Sequence, residues 1–318
     1  MATYKGIKGF NIQTVSSDPP APFTGQVWYN STSATIKYSG IGTAWSTGGN
    51  LPSPSSHQGG AGTQTAALSF GGRNPSNAVV NVTDEYNGSS WTGGGNLTTA
   101  RQSLGNAGTQ TAGLAFGGNP GGLNATEEYD GSSWTNGGNM GTGRSYVGGC
   151  GTQTAGLAIG GNPTTDACEE YDGSSWTAGG SLTTAGNSIK GAGLQTAVLA
   201  IGRGPNRSTL TEEYNGSSWT NGGALNVSAK VGAGAGLQTA AIAFGGETAT
   251  EEKTAATEEY NGTTWTTSKN MNVARENLAG AGLQTAALAF GGQTVPGATD
   301  ATEEFSGGNS ITFTVGTD

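Results

Sequence analysis

Residues 108–134 have the sequence GTQTAGLAFGGNPGGLNATEEYDGSSW, and most of the chain repeats this stretch with variations. Three features recur: a small apolar run that ends in glycines, an acidic pair before an aromatic residue, and a tight polar turn before a tryptophan. The recurring tryptophans are 42–46 residues apart, at Trp45, Trp91, Trp134, Trp176, Trp219 and Trp265. A fixed period in this range is the signature of a repeat architecture.

The composition favours an all-β fold with many tight turns. The 318 residues include 59 glycines, and only 11% are charged. A helical period of apolar residues is missing, while Gly, Ser and Thr dominate. Each repeat nevertheless carries enough Leu, Ala, Phe, Tyr and Trp to bury a face, which argues against disorder. We therefore expect one folded domain over residues 1–318.

Each repeat is predicted to form four short strands. In the second clear repeat they lie near residues 102–107, 112–118, 126–129 and 133–136. Asn-Gly or Asp-Gly before Ser-Ser is typical of a tight hairpin between the last two strands. A four-stranded unit cannot cover both of its faces alone, but a closed ring of such units does so and leaves few exposed edges.

The repeat count decides the number of blades. Residues 50–318 contain six clear repeats, the last with Ser310–Val315 where a tryptophan strand should be. Residues 1–49 are interpreted as a divergent first blade, with segments 7–15, 25–30, 34–38 and 40–45 as its strands and turn. We predict seven four-stranded blades, with six blades plus an N-terminal extension as the alternative. Whether strands from both ends close the ring stays open at this point.

The order of an apolar run with Gly-Gly, then Tyr, then Trp about five residues later resembles the kelch repeat of β-propellers, over nearly the whole chain. The basic residue that kelch repeats carry before the first strand matches Arg101, Arg144 and Arg275 only. Phrases such as GTQTAALAFGG with EEYNGSSW, and the opening residues 4–33, are also similar to propeller-type tail-fibre and other virion proteins of marine phages. The resemblance implies a kelch-like β-propeller in a virion.

Charge and hydropathy exclude some partners. The net charge is −9 and no basic cluster occurs, which disfavours nucleic-acid binding. No apolar run approaches the roughly 20 residues of a membrane helix, so membrane insertion is not expected. The first residues lack the apolar core of a signal peptide. We therefore expect a virion protein made in the host cytoplasm.

The strand order puts the turns between strands one and two, and between three and four, on one face of the ring. Those turns are nearly constant within the chain, whereas the loops of the other face vary. Variable loops on a rigid ring are where function usually sits, although they could also have drifted. The candidate ligand-binding residues on that face are Arg73, Asn74, Arg101, Gln102, Asn119, Arg144, Tyr146, Asn162, Asn187, Arg203, Arg207, Lys230, Arg275 and Glu276.

No catalytic site, metal site or cofactor is expected. A Ser-His-Asp site needs a histidine, and His57 is the only one. The tryptophans recur at one blade position, which favours packing over sugar stacking. The acidic pairs are interpreted as solvated edges or as partners of Arg and Lys rather than a calcium ring. Cys150 and Cys168 should lie on strands one and three of one blade, about 9–10 Å apart and too far for a disulfide.

The sequence thus predicts a non-enzymatic recognition or adhesion module. Its expected partners are a host-surface glycan or protein, together with other virion proteins. A structural virion protein, such as a capsid decoration or tail scaffold, is the first alternative. A cellular lectin-like propeller is the second.

Overall fold

The computed structural model describes residues 13–16, 27–32, 35–38, 43–204, 207–227, 229–307 and 312–314. Regular structure within these ranges consists of β-strands. None of the described segments forms a helix long and apolar enough to cross a membrane. The chain divides into two compact units: Trp45–Phe305, called the propeller unit below, and Met1–Ala44 together with Ser306–Asp318, called the terminal unit.

The strands are short and evenly distributed along the chain. Those of the first half are β1 (Gln13–Val15), β2 (Val27–Asn30), β3 (Thr35–Tyr38), β4 (Ala44–Thr47), β5 (Gly59–Gly62), β6 (Ala67–Phe70), β7 (Thr83–Tyr86), β8 (Trp91–Gly93), β9 (Gly105–Thr109), β10 (Ala112–Phe116), β11 (Thr126–Tyr129), β12 (Trp134–Asn136), β13 (Gly148–Thr152) and β14 (Ala155–Ile159). Those of the second half are β15 (Cys168–Tyr171), β16 (Trp176–Ala178), β17 (Lys190–Leu194), β18 (Ala197–Arg203), β19 (Ser208–Tyr214), β20 (Trp219–Asn221), β21 (Ala229–Leu237), β22 (Ala240–Thr248), β23 (Lys253–Tyr260), β24 (Trp265–Thr267), β25 (Ala279–Leu283), β26 (Ala286–Phe290), β27 (Thr302–Ser306) and β28 (Thr312–Thr314).

The propeller unit is a β-propeller of six four-stranded blades. Blades one to five are β5–β8, β9–β12, β13–β16, β17–β20 and β21–β24, each an antiparallel meander. Blade six has the order β25-β26-β27-β4, so its outermost strand comes from the N-terminal side of the chain. The first strands of successive blades are neighbours, and β25 also contacts β5, which closes the ring.

The prediction of seven blades is wrong, and the alternative of six fits the structure. Trp45 looked like the end of a divergent first blade, but it lies on the strand that completes blade six. The sequence of the last repeat contains no tryptophan. Strand β4, which carries Trp45, is the fourth strand of blade six instead. The ring is therefore closed by strands from both ends of the propeller unit.

The terminal unit contains one four-stranded sheet in the order β1-β2-β3-β28. β1 and β2 pair in parallel, whereas β3 pairs antiparallel with β2 and β28. Strand β28 at Thr312–Thr314 therefore pairs with the N-terminal strand β3. Because β1 and β2 are parallel, this sheet differs from the antiparallel meander of a blade. Of the predicted first strand at residues 7–15, positions 7–12 lie outside the described residues.

In blades one to five, strands three and four are joined by the polar turn that the sequence predicts. In blade two, Asp130 Oδ1 accepts hydrogen bonds from the backbone N–H groups of Ser132 and Ser133, both at 2.8 Å. Gly131 has φ +92°, a conformation that glycine adopts without steric cost. Asn87, Asp172, Asn215 and Asn261 accept the same pair of backbone bonds in their blades.

The glutamine of the GTQT or GLQT turn binds the preceding blade. Gln153 Nε2 of blade three donates to the carbonyls of Gly113 and Tyr129, on strands two and three of blade two. The equivalent side chains make the same two contacts in every blade, namely Gln64, Gln110, Gln195, Gln238 and Gln284. The turn is constant within the chain because it joins neighbouring blades.

The tryptophans also join blades, which confirms the predicted packing role. Trp134 is 5% exposed, and its Nε1 donates to Thr83 Oγ1 of the preceding blade at 3.0 Å. In blade three, Cys168 replaces the equivalent threonine, and Trp219 donates to the Gly180 carbonyl instead. Cys150 and Cys168 lie on the first and third strands of blade three, as predicted, and both are buried free thiols. Burial raises the pKa of both thiols, that of Cys168 to about 11.

Candidate functional site: the axial cavity

The two ends of the blades form two different faces. Isolated bridges pair the residue before strand one with the start of the loop after strand two, as in Gln102 with Asn119 and Ser145 with Asn162. The loops of variable sequence therefore meet at one end of every such blade, called the variable-loop face. The opposite end, with the glutamine and Asx turns, is called the constant-turn face.

A ring of five residues surrounds the axis on the variable-loop face. These rim residues, at equivalent positions before strand one, have φ between 49° and 59°: His57, Ser103, Tyr146, Ser188 and Asn277. Their backbones are linked from blade to blade, since Tyr146 N–H donates to the Ser103 carbonyl at 2.7 Å and Ser188 N–H to the Tyr146 carbonyl at 2.8 Å. Left-handed φ at non-glycine residues costs conformational energy and often accompanies a functional site.

Inside the rim lies a cavity of about 780 Å³, which includes space open to solvent and is called the axial cavity. Its walls are the rim residues and the first halves of the six first strands. A second space of about 450 Å³ follows the later halves of the same strands toward the constant-turn face. Asn106 lines both, and its Nδ2 donates to the Gly60 carbonyl at 2.5 Å. Residues of all six blades line the cavity, so a ligand there can be contacted from several sides.

Lys190 is the unusual residue of the cavity wall. It stands on β17 where the other first strands carry glycine or alanine, namely Gly59, Gly105, Gly148, Ala233 and Ala279. A Cβ at Gly105 would lie 2.1 Å from the ring of Phe116, its partner on strand two. The partner of Lys190 is Ile201, so the smaller aliphatic side chain leaves room for the lysine stem.

The lining of the cavity carries excess positive charge. Among the described residues, neither an ion pair nor a hydrogen bond connects the Lys190 ammonium to a partner, and burial with the charge of Lys230 lowers its pKa to about 8. Lys230 Nζ lies 3.3 Å from Asn277 Oδ1 and 6.0 Å from the centre of the Tyr146 ring. The carboxylate of the lining, Glu276, has its Oε1 3.3 Å from Lys253 Nζ.

His57 is held neutral. Burial, followed by the charges of Arg73, Lys230 and Lys190, lowers the pKa of His57 to about 3. Its ring lies 6.4 Å from that of Tyr146 across the mouth. Two polar atoms of the wall, Ser103 Oγ and Gln58 Oε1, have no hydrogen-bond partner within the described ranges. Both atoms are buried, so a ligand would reach them only after the two side chains turn toward the cavity. The site offers no imidazolium charge near neutral pH.

The structure removes four arginines from the predicted ligand surface. Arg101, Arg144, Arg203 and Arg275 are 0–4% exposed, and each pairs with the first acidic residue of its blade, Glu127, Glu169, Glu212 or Glu303. Buried in this way, the guanidinium groups fix the loops of the blade and cannot meet a surface ligand. Gln102 is buried as well, at 5%.

The other predicted site residues remain accessible. Tyr146, Lys230 and Glu276 line the axial cavity. Arg73, Asn74, Asn119, Asn162 and Asn187 are partly or fully exposed on the variable-loop face. Arg207 pairs with Glu247 and Glu251. The prediction left out Lys190, Ser103, Ser188 and Asn277; the break in the glycine and alanine pattern at Lys190 was the available signal.

The acidic pairs divide into two roles. The first carboxylate anchors the loop before strand one, as Glu127 does by accepting from Thr98 N–H at 2.6 Å. The second accepts from the tyrosine of the next blade, as Glu85 does from the Tyr129 hydroxyl at 2.5 Å. The carboxylates are therefore committed to protein groups. The described residues contain no group of three or more His, Cys, Asp or Glu that could hold a metal ion.

The fold and the cavity define a β-propeller with repeated blades and a polar, cationic axial site. No protein-family model matches the sequence, and no curated protein matches it significantly. The class of the fold is therefore established by the blades themselves, and the function is argued from the site.

Proposed function

We propose that the chain is a non-enzymatic recognition module of a virion, such as a phage tail fibre, that contacts a host-surface glycan or protein through the variable-loop face. A kelch-like propeller suits this task because rigid blades present loops that differ in sequence. The observation behind the proposal is the axial cavity, which opens on this face and is lined by the Lys190 ammonium and two polar atoms for which the described residues supply no partner.

The chemistry of the cavity favours binding over catalysis. His57 is neutral near physiological pH and lies among cations. The side chain that hydrogen-bonds to its ring among the described residues is Ser56, whereas a hydrolytic triad needs a carboxylate there. Glu276 is the carboxylate of the lining and is paired with Lys253, whereas glycoside cleavage needs two free carboxyl groups.

A structural role in a virion is the second candidate. Three consecutive blades expose a leucine on the constant-turn face, Leu194, Leu237 and Leu283, which are 46–54% exposed. Blades one to three have Thr63, Thr109 and Thr152 at this position. An apolar arc on one half of a face favours contact with another protein.

The proposal is tested by binding of the purified chain to a glycan array and to a panel of bacterial cells. Tyr146→Ser places at the rim a residue that blades two and four already have, so the fold should tolerate it. We expect the affinity of this variant to fall by about tenfold or more, which is the effect of removing one interface side chain of moderate importance. Leu283→Thr is the matched control on the other face and should bind normally. Absence of binding, or equal losses in both variants, contradicts the proposal.

A further inference from the structure

We propose that the axial cavity binds an acidic sugar, with the carboxylate of the sugar held by Lys190 and its hydroxyl groups held by the rim. This inference rests on the proposed recognition function and names the chemical class of its ligand. It is argued from the uncompensated charge, the unpaired polar atoms and the space of the cavity.

The first argument is the position of Lys190. A long charged side chain replaces a small residue at one of six equivalent places, and its strand partner is reduced from the phenylalanine of blades one and two to Ile201. Blade three has the same reduction, with Ile159, but keeps Gly148 opposite it. The lysine is therefore not required to fill the blade. Its length serves the cavity that it lines.

The second argument is charge. Two ammonium groups, of Lys190 and Lys230, line one cavity, and neither forms an ion pair with a carboxylate in the part of the chain that the structure describes. A partly buried cation without a counter-charge is unfavourable. An anion in the cavity would relieve the repulsion and gain charge-assisted hydrogen bonds, which are roughly twice as strong as neutral ones.

The third argument concerns the ligand's donors. Gln58 Nε2 donates to the Phe290 carbonyl at 3.1 Å, which leaves Gln58 Oε1 as an acceptor without a donor. A sulfate dianion brings no hydrogen for this oxygen, and a hydrogenphosphate ion brings a single one. A sugar acid brings both a carboxylate for Lys190 and hydroxyl donors for Gln58 and Ser103. The cavity is lined by residues of all six blades, so groups on several sides can contact a ligand larger than a simple anion.

The experiment is calorimetric titration of the full chain with D-glucuronate, with D-glucose as the matched neutral probe. We expect saturable binding of glucuronate and none of glucose. Lys190→Gly gives blade four the Gly–Ile pair of blade three, and Lys190→Met keeps the length without the charge. Each variant should weaken glucuronate binding by about tenfold or more. Lys269→Met removes the same charge from an exposed residue outside the lining and should have no effect.

Wild-type binding at different pH values gives a second readout that does not depend on any variant. The titratable and charged groups that line the cavity are Lys190, Lys230, His57, Tyr146 and Glu276. Because the pKa of Lys190 is about 8, its charge is present at pH 7 and is lost as the pH rises to about 9.5. The affinity for glucuronate should fall over this interval. A flat profile contradicts the assignment of the carboxylate to Lys190.

Further probes separate the alternatives. Tighter binding of inorganic phosphate or of an acidic peptide, with the same dependence on Lys190, overturns the sugar assignment. Equal binding of glucose and glucuronate overturns the charge assignment. If cells or glycans are bound but Lys190→Met changes nothing, recognition stands and the anion site fails. If glucuronate is bound but no cell or glycan is, the anion site stands and the recognition function fails.

Discussion

The two faces of the propeller unit differ in how constant their contacts are from blade to blade. On the constant-turn face, one glutamine per blade binds the same two carbonyls of the preceding blade in all six cases. Below the variable-loop face, the first carboxylate of the acidic pair has three different kinds of partner in blades two to six, and blade one has a different acid. Constancy within the chain therefore marks contacts between blades, and variation marks places where only the local charge balance must be kept.

The partners of this carboxylate differ from blade to blade. Blades two, three and six use an arginine before strand one, as in Arg101 with Glu127. Blade four has Gly186 there and supplies Arg203 from strand two to Glu212. Blade five uses the backbone and amide N–H groups of Asn226 for Glu258. Blade one has a shorter acid, Asp84, which the arginine ion pairs of the described residues do not include.

The largest expected loss of stability comes from breaking the ion pair of blade four, between Arg203 and Glu212. Arg203→Gly leaves Glu212, which is 0% exposed, without its counter-charge. Removing one partner of a buried ion pair costs about 3–5 kcal/mol, so the denaturant midpoint should fall sharply. The measurement is equilibrium unfolding followed by tryptophan fluorescence.

The matched rescue moves the arginine to the position that blades two, three and six use. A Cβ at Gly186 would lie 3.2 Å from the Arg203 side chain, so Gly186→Arg alone should crowd it. The double variant Gly186→Arg with Arg203→Gly should recover most of the stability, because residue 203 then becomes the glycine of the sister blades. A double variant as unstable as Arg203→Gly would show that the blades do not share one carboxylate site.

An intermediate effect is expected at the interface between blades five and six. At the other five interfaces a tyrosine hydroxyl donates to the glutamate of the preceding blade, as Tyr129 does to Glu85. Blade six has Phe305, and Glu259 accepts from Ser268 Oγ at 2.5 Å instead. Ser268 occupies the place of Gly94, where a Cβ would lie 2.7 Å from the Tyr129 hydroxyl. The serine therefore takes both the space and the hydrogen bond of the missing hydroxyl.

Phe305→Tyr should accordingly destabilise the protein, although it restores the residue of the sister blades. Overpacking a buried site costs about 1–3 kcal/mol. Adding Ser268→Gly should restore stability to within about 1 kcal/mol of the wild type, since the tyrosine can then reach Glu259. A double-mutant cycle by chemical denaturation measures the coupling between the two positions. Additive losses would mean that the two replacements are unrelated.

These cases show what the sequence could predict. The β class, the four-strand repeat, the Asp-Gly turns and the buried tryptophans follow from local patterns, and the structure confirms them. The number of blades could not be predicted in this way. The segment around Trp45 has the sequence features of a separate repeat, but its strand pairs with β27, which lies at the other end of the propeller unit in sequence. The buried arginines were placed on the surface, since sequence does not reveal whether a charge has a partner. Lys190 was missed because it interrupts a glycine-rich strand that resembles its five sisters.

The smallest expected effect is a pH dependence confined to blade one. Burial raises the pKa of Asp84 from 3.8 to about 6. The folded state therefore holds a proton more tightly than the unfolded chain, and stability falls as the pH rises through the interval from 3.8 to about 6. Because Asp84 is partly exposed, solvent reduces the effect to about 1–2 kcal/mol.

Asp84→Asn isolates this effect, because the amide keeps the shape and cannot ionise. The stability difference between Asp84→Asn and the wild type, from chemical denaturation at several pH values between about 4 and 7, should grow in favour of the variant as Asp84 ionises. Asp130→Asn is the control, since the sister turns already use asparagine and hydrogen bonds from Ser133 and Ser132 hold the pKa of Asp130 at about 2. Its difference from the wild type should stay nearly constant over the same range. If the stability of Asp84→Asn and that of the wild type changed equally with pH, the carboxylate of blade one would be as well compensated as those paired with arginine. That result would contradict the distinction between blade one and the arginine-containing blades.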